Sequence, residues 1–144
     1  MEVAETQFLD PLLEVLSTPG RFGHREHLRL AWRYLRATDT ARAKFWMGAS
    51  IRCVAAAHGT PEKYHETLIV AWTRLVAAHL GSGDTSDFGE FMADNPRLFD
   101  RHLVESHFSA ATLWSRRARH EWVEPDLAPL PREGRGLPLP SCGP

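Results

Sequence analysis

Apolar side chains recur at intervals of three and four residues through most of residues 10–120, which is the spacing of one helix face. The clearest case runs from about His24 to Ala37, where the apolar positions follow the i, i+3, i+4, i+7 pattern: Leu28, Ala31, Trp32 and Leu35. No stretch of four to eight residues alternates like a strand and is rich in β-branched residues. The sequence therefore predicts an all-α fold, a compact helical bundle of about six or seven helices.

Capping residues and helix breakers predict where these helices begin and end. Asp10-Pro11 begins a first helix, and residues 38–40 begin a third helix that reaches His58, ahead of Gly59. Thr60-Pro61 is the strongest helix start in the chain and predicts a fourth helix that runs on to Gly81. Three further helices are expected at about residues 86–93, 96–106 and 109–122.

The composition changes after Trp122. The last 22 residues hold six prolines and three glycines, which does not suit a helix. Residues 123–131 keep enough leucine to lie as an extended strap over the helices, and an untethered terminus is the alternative. Residues 132–144 are expected to form a loose tail, so the single helical domain is predicted to span residues 1–131.

Charge and cysteine content restrict the partners and the compartment. The formal net charge is −1, so the basic excess that phosphate binding requires is missing, and no nucleic-acid partner is expected. No apolar run is long enough to cross a membrane, and residues 1–10 lack the features of a signal peptide. The chain has two cysteines, which suits a reducing cytoplasm, and Cys53 is expected to be a core thiol.

Eight histidines are the unusual part of the composition. His24 and His27 share one helix face, His65 is expected to face the core, and His107 lies at a predicted joint between helices. The alternatives are two half-exposed histidines near a positively charged helix end for His24 and His27, a core histidine satisfied by one hydrogen bond for His65, and a simple turn residue for His107. The remaining four are interpreted as structural or solvent-facing side chains: His58, His79, His102 and His120.

These four histidines come from three separate helices and can converge in a bundle core, and such a set suits Fe, Zn, Ni or Cu. We therefore expect one transition-metal ion bound by His24, His27 and His65. His107 is expected to be a fourth ligand or the catalytic acid/base, and a carboxylate, Glu66 or Glu105, would orient a ligand or transfer a proton.

Residues that could contact a substrate are less sharply indicated. Arg116 and Arg119 lie three residues apart and are spaced to hold a carboxylate or phosphate, although ion pairs with nearby carboxylates are an equally ordinary role. Trp32 and Tyr64 are expected to provide aromatic surface for the same pocket. The expected partner is a small, anionic substrate, and the oligomeric state stays open, with a homodimer as one alternative.

Several motifs together resemble those of a set of short, uncharacterised all-helical bacterial proteins. They are residues 22–28 (FGHREHL), 64–67 (YHET), 107–109 (HFS), and Ala118-Arg119 followed by residues 125–131 (PDLAPLP). The resemblance covers most of residues 8–131 and implies an all-helical fold without implying an activity. A distant analogy to DinB/YfiT-like bundles implies only a bundle with a three-histidine metal site, because their His-x-x-x-His spacing is missing here.

The function expected from the sequence is that of a metal-dependent enzyme acting on a small molecule through a buried site of several histidines. The metal would act as a Lewis acid, as a water activator or as an oxygen-activating iron. The alternative is a non-catalytic helical domain that binds a metal or a partner.

Overall fold

A computed structural model describes residues 10–14, 22–80 and 87–132 of the chain. Within these ranges the chain forms α-helices and short 3₁₀ turns and no strand, so the all-α prediction is confirmed. Residues 10–14 are the described part of α1. The other helices are α2 (His24–Ala37), α3 (Thr40–Ala57), α4 (Glu66–His79), α5 (Phe88–Asp94), α6 (Ala110–Leu113) and α7 (Arg116–His120).

Helices α2, α3 and α4 pack against one another and form the centre of the domain. Leu28 and Leu35 of α2, Met47 of α3 and Leu75 of α4 are completely or almost completely buried. One buried polar contact joins α2 to α3, where the Tyr34 hydroxyl lies 2.7 Å from Ser50 Oγ. Burial of the apolar faces is the main stabilising contribution, at roughly 25 cal/mol per Å² of apolar surface.

The local capping signals place α2 and α3 correctly. The Asp39 carboxylate accepts a hydrogen bond of 2.8 Å from the Arg42 backbone N–H and begins α3. Gly59 follows the helix with φ of +71°, a left-handed conformation that favours glycine and ends the helix.

The predicted start of the fourth helix is wrong by several residues. Pro61–Lys63 forms only a 3₁₀ turn, Tyr64 is extended, and α4 begins at Glu66. The helix cap is His65, whose Nδ1 accepts a hydrogen bond of 3.1 Å from the Leu68 backbone N–H. Imidazole takes the place of the usual serine, threonine, aspartate or asparagine oxygen.

Two further predicted helices are broken. The segment expected as a helix at 96–106 forms two 3₁₀ turns, Pro96–Phe99 and Leu103–Ser106. The segment expected at 109–122 is divided between α6 and α7, because Ser115 caps α7 by accepting from the Ala118 N–H. The same hydroxyl donates to the Thr112 carbonyl oxygen, and such side-chain bonds compete with a continuous helix.

Residues 123–131, called the strap below, form no helix and pack against the helices, with bends at residues 126–128. Val123 and Leu130 are buried, and the Val123 N–H donates to Thr67 Oγ1 on α4. The Asp126 carboxylate accepts hydrogen bonds from the backbone N–H and the hydroxyl of Ser109. The expected tail lies, except for residue 132, outside the described residues.

The outer face of α3 differs from expectation. Cys53 is exposed, so the prediction of a core thiol is wrong. Its neighbour Val54 faces the core instead, because successive residues of a helix point in different directions. In the described part of the chain, no helix has both the length and the apolar character needed to cross a membrane.

Candidate functional site

A cleft of about 450 Å³ lies where the C-terminal half of α3 meets the start of α2 and the 3₁₀ turn at Pro61–Lys63. Its volume is within the range of small-molecule sites, roughly 300–1,000 Å³. Its apolar surface comes from five residues: Phe22, Ile51, Val54, Ala55 and Tyr64. Gly23, His58, Thr60, Lys63 and Arg101 complete the lining.

The backbone at the end of α3 leaves few free acceptors in this cleft. The Val54 carbonyl oxygen accepts hydrogen bonds from both the backbone N–H and the Nδ1–H of His58. The Ala55 carbonyl oxygen accepts from the Thr60 N–H at 2.8 Å. Because these helix-end carbonyls are already satisfied, their partial negative charge is partly neutralised at the cleft.

Two cationic side chains line the cleft. Lys63 and Arg101 are both exposed, and Gly23, the residue that caps the N-terminus of α2, lines the cleft as well. Glu26 uses Oε1 to accept the Gly23 backbone N–H at 2.9 Å. Among the described lining residues there is no carboxylate. The opening therefore favours an anion over a cation.

Tyr64 forms one wall of the cleft and is fixed by polar contacts. Its hydroxyl donates a hydrogen bond of 2.5 Å to Glu66 Oε1, and the Arg52 guanidinium lies 4.4 Å from the centre of its ring. Burial, together with the bond to Glu66, raises the pKa of Tyr64. A Cβ atom at Gly48 would lie 3.1 Å from the Tyr64 hydroxyl oxygen, so glycine leaves space for it.

Burial disfavours the protonated form of both His24 and His27. His24 uses Nε2–H to donate to the Leu98 carbonyl oxygen at 2.8 Å, and its ring packs edge-on against Trp72 at 4.5 Å. Burial lowers the pKa of His24, and burial followed by the neighbouring charge of His24 lowers the pKa of His27 to about 4. The buried Nε2 of His27 has no hydrogen-bond partner among the described residues.

His65 is buried, as expected, but both of its ring nitrogens are engaged. Nδ1 accepts from the Leu68 N–H, and Nε2–H donates to the Leu113 carbonyl oxygen at 2.7 Å. Burial lowers the pKa of His65. Coordination of a metal would break one of these two bonds, and each such loss inside a protein costs roughly 1–3 kcal/mol.

His107 lies at the joint before α6, where it contacts the strap. Its Nδ1–H donates to the Ala128 carbonyl oxygen at 3.1 Å, and its own carbonyl oxygen accepts from the Leu127 N–H at 2.9 Å. Glu105 was predicted, as an alternative to Glu66, to orient a ligand or transfer a proton. It is exposed, and its Oε2 lies 3.0 Å from His102 Nδ1.

The predicted substrate-contacting residues lie in different places. Trp32 is buried against Phe88, and Arg116 is exposed. Arg119 donates to the carbonyl oxygens of Glu62 and Tyr64, at 3.3 and 3.4 Å, so it supports the turn that carries the cleft wall. Among the predicted set, Tyr64 lines the cleft.

Within residues 10–14, 22–80 and 87–132, no three His, Cys, Asp or Glu side chains are grouped so that they could hold a metal ion. His24, His65 and His107 are each bonded to a different backbone carbonyl. Sequence reasoning missed Lys63 and Arg101 as site residues. In the sequence, nothing except their charge distinguishes Lys63 and Arg101. They become part of one site only because the fold brings them to the same cleft.

Comparison with family models, curated proteins and solved structures finds no match to this chain.

Proposed function

We propose that the domain binds a small molecule that has an apolar body and an anionic group, with the body in the cleft beside Tyr64. One observation carries the proposal: a cleft of about 450 Å³ combines apolar walls with Lys63 and Arg101 at its opening. The apolar body would gain about 25 cal/mol for each Å² removed from water. The anion would remain at the opening, where it keeps part of its hydration.

The volume of the cleft, about 450 Å³, favours a short chain or a single ring over a large ligand. Val54 and Ala55 form buried apolar surface, while both cations are exposed. Such an arrangement discriminates by charge as well as by shape. A neutral molecule of the same shape would lose the contribution of the cations and keep the apolar contacts.

A matched pair of ligands tests this proposal. Octanoate and octanol share an alkyl chain and differ in charge, so calorimetric titration of the full chain separates the two contributions. We expect octanoate to bind more tightly, and Lys63→Gln or Arg101→Gln to weaken octanoate binding by about 3- to 10-fold each, or roughly 0.7–1.4 kcal/mol. Octanol binding should change less than about twofold in the same variants.

Two further variants test whether octanoate binds in this cleft. Lys44→Gln removes a cation from α3 outside the cleft lining and should leave octanoate binding unchanged. Ile51→Trp places a larger side chain in the cleft and should weaken octanoate and octanol alike. The proposal is wrong if octanol binds as tightly as octanoate, or if Lys63→Gln and Arg101→Gln together leave octanoate binding intact.

Metal-dependent catalysis through His24, His27, His65 and His107 is the second candidate function. The buried Nε2 of His27 favours it, because this nitrogen lacks a partner among the described residues and an imidazole with a pKa of about 4 is neutral at pH 7. A neutral nitrogen lone pair is what a transition metal requires. His65 would have to exchange a backbone hydrogen bond for the metal.

Elemental analysis of protein purified without a histidine tag tests this second candidate. Near-stoichiometric Fe, Zn, Ni or Cu that falls in both His27→Asn and His24→Asn would support it. Metal content that stays near zero after reconstitution would exclude it, and unchanged occupancy in both variants would exclude these ligands.

A further inference from the structure

A second cleft, of about 250 Å³, lies between the C-terminal turn of α4 and the strap. Leu75, Leu103, Pro129 and Pro131 provide its apolar surface, and His79 and His107 are both among its lining residues. The two histidines come from different elements, α4 and the joint before α6. Neither candidate function above uses His79.

Both imidazoles have the same hydrogen-bonding arrangement. His79 Nδ1–H donates to the Leu75 carbonyl oxygen at 2.8 Å, and His107 Nδ1–H donates to the Ala128 carbonyl oxygen at 3.1 Å. A proton on Nδ1 leaves the lone pair of a neutral imidazole on Nε2. Among the described residues, no hydrogen bond engages Nε2 of either ring.

An imidazole that binds a metal through Nε2 usually donates its Nδ1–H to a carbonyl or carboxylate oxygen, which fixes the ring orientation. Here the backbone supplies that outer contact to two histidines that line one cleft, together with four apolar residues. We infer that His79 and His107 bind one divalent transition-metal ion through their Nε2 atoms. Water or an anion would complete the coordination.

The site would join α4 to the strap. Besides the Nδ1–H bond to Ala128, the His107 carbonyl oxygen accepts the Leu127 N–H, so His107 is held to the strap on two sides. An ion shared with His79 would fix this assembly to the central helices. Arg97 is exposed at the edge of the same cleft, and its positive charge favours an anionic ligand as the remaining partner of the ion.

Titration of the full, untagged chain with Ni²⁺ at about pH 7.5 tests the inference. Imidazole suits Ni²⁺, whereas the softer thiolates of the two cysteines favour Zn²⁺ and Cu⁺. His79→Asn and His107→Asn keep a donor near the position of Nδ1 and remove Nε2. We expect one Ni²⁺ per chain, with affinity at least about tenfold lower in each variant.

A matched control comes from the end of α3. His58 also donates its Nδ1–H to the carbonyl oxygen four residues earlier, Val54, but it borders the other cleft. His58→Asn should therefore bind Ni²⁺ like the wild type. Absence of saturable binding would overturn the inference, as would unchanged affinity in both the His79 and His107 variants, or equal loss in His58→Asn.

Hydrogen exchange gives a second readout for variants that remain folded. Ni²⁺ should slow exchange of the Leu127 amide in the wild type, because the ion fixes the residue that accepts its hydrogen bond. In His79→Asn the same Ni²⁺ concentration should have little effect, and an effect equal to that in the wild type would contradict the inference. Octanoate titration of this variant should be unaltered, which keeps this test separate from that of the first cleft.

Discussion

His27 makes the stability of the domain depend on pH. Burial is the main reason why its pKa is about 4 in the folded chain, against an ordinary value of 6.5. Between these two values the unfolded chain binds a proton that the folded chain does not. The free energy of unfolding therefore falls as the pH decreases from about 6.5 towards 4, and this contribution is constant at higher pH.

The size of the effect follows from the two pKa values. At pH 5 the His27 contribution is about 2 kcal/mol lower than at pH 8, since one pKa unit corresponds to about 1.4 kcal/mol. This is a large part of the stability of a small domain, roughly 5–15 kcal/mol. Burial also lowers the pKa values of His24 and His65, so both change the stability in the same direction.

Urea unfolding of the wild type and of His27→Leu at pH 8 and pH 5, followed by circular dichroism, isolates the contribution of His27. For each protein, the free energy of unfolding at pH 5 is subtracted from that at pH 8. The packing change caused by the substitution contributes equally at both pH values and therefore cancels. We expect this difference to be about 2 kcal/mol smaller in His27→Leu. His120→Leu, at an exposed position, should keep the wild-type difference. Equal differences in the wild type and His27→Leu would refute the reasoning.

Three further substitutions test contacts that hold the site in place. Thr67→Val removes the hydroxyl that accepts the Val123 N–H, and we expect it to lower the free energy of unfolding by about 1–3 kcal/mol in urea titrations. Ser115→Ala removes the cap of α7 and should cost about 1 kcal/mol in the same assay. Gly48→Ala should displace the Tyr64 hydroxyl and weaken octanoate binding, as measured by calorimetry.

Controls for these three variants exist in the same chain. Thr73→Val removes a hydroxyl that bonds only within α4, to the Ile69 carbonyl oxygen, and should cost less than Thr67→Val. Ala49→Ser changes a residue next to Gly48 without adding a Cβ and should leave octanoate binding as it is. A Thr67→Val protein as stable as the wild type would show that the strap contact contributes nothing.

Prediction from sequence succeeds where the determining contacts are local. The ends of α2 and α3 follow from apolar spacing, from the Asp39 cap and from Gly59, all of which act within a few residues. It fails at α4, because Thr60-Pro61 initiates only a 3₁₀ turn and the cap is a histidine whose other nitrogen bonds Leu113, 48 residues away.

The two clefts could be predicted from the sequence less well than the helices. The first cleft combines residues from four separate segments, and helical spacing carries no information about which segments meet. His79 was interpreted as a side chain that favours the end of its helix, and its bond to the Leu75 carbonyl agrees with that interpretation. That it lines the same cleft as His107 depends on long-range packing, about which helical spacing carries no information.

The long-range contacts of α4 also have a consequence for synthesis of the chain. The side chains of His65 and Thr67 bond backbone oxygens 48 and 54 residues later, at Leu113 and Glu121. At roughly 5–20 residues per second, these partners are made about 3–10 s after α4 itself. During that interval α2, α3 and α4 can collapse, but the buried side chains of His65 and Thr67 lack these two partners. We therefore expect α4 to be fully stabilised in the nascent chain only once the residues up to Glu121 have been added.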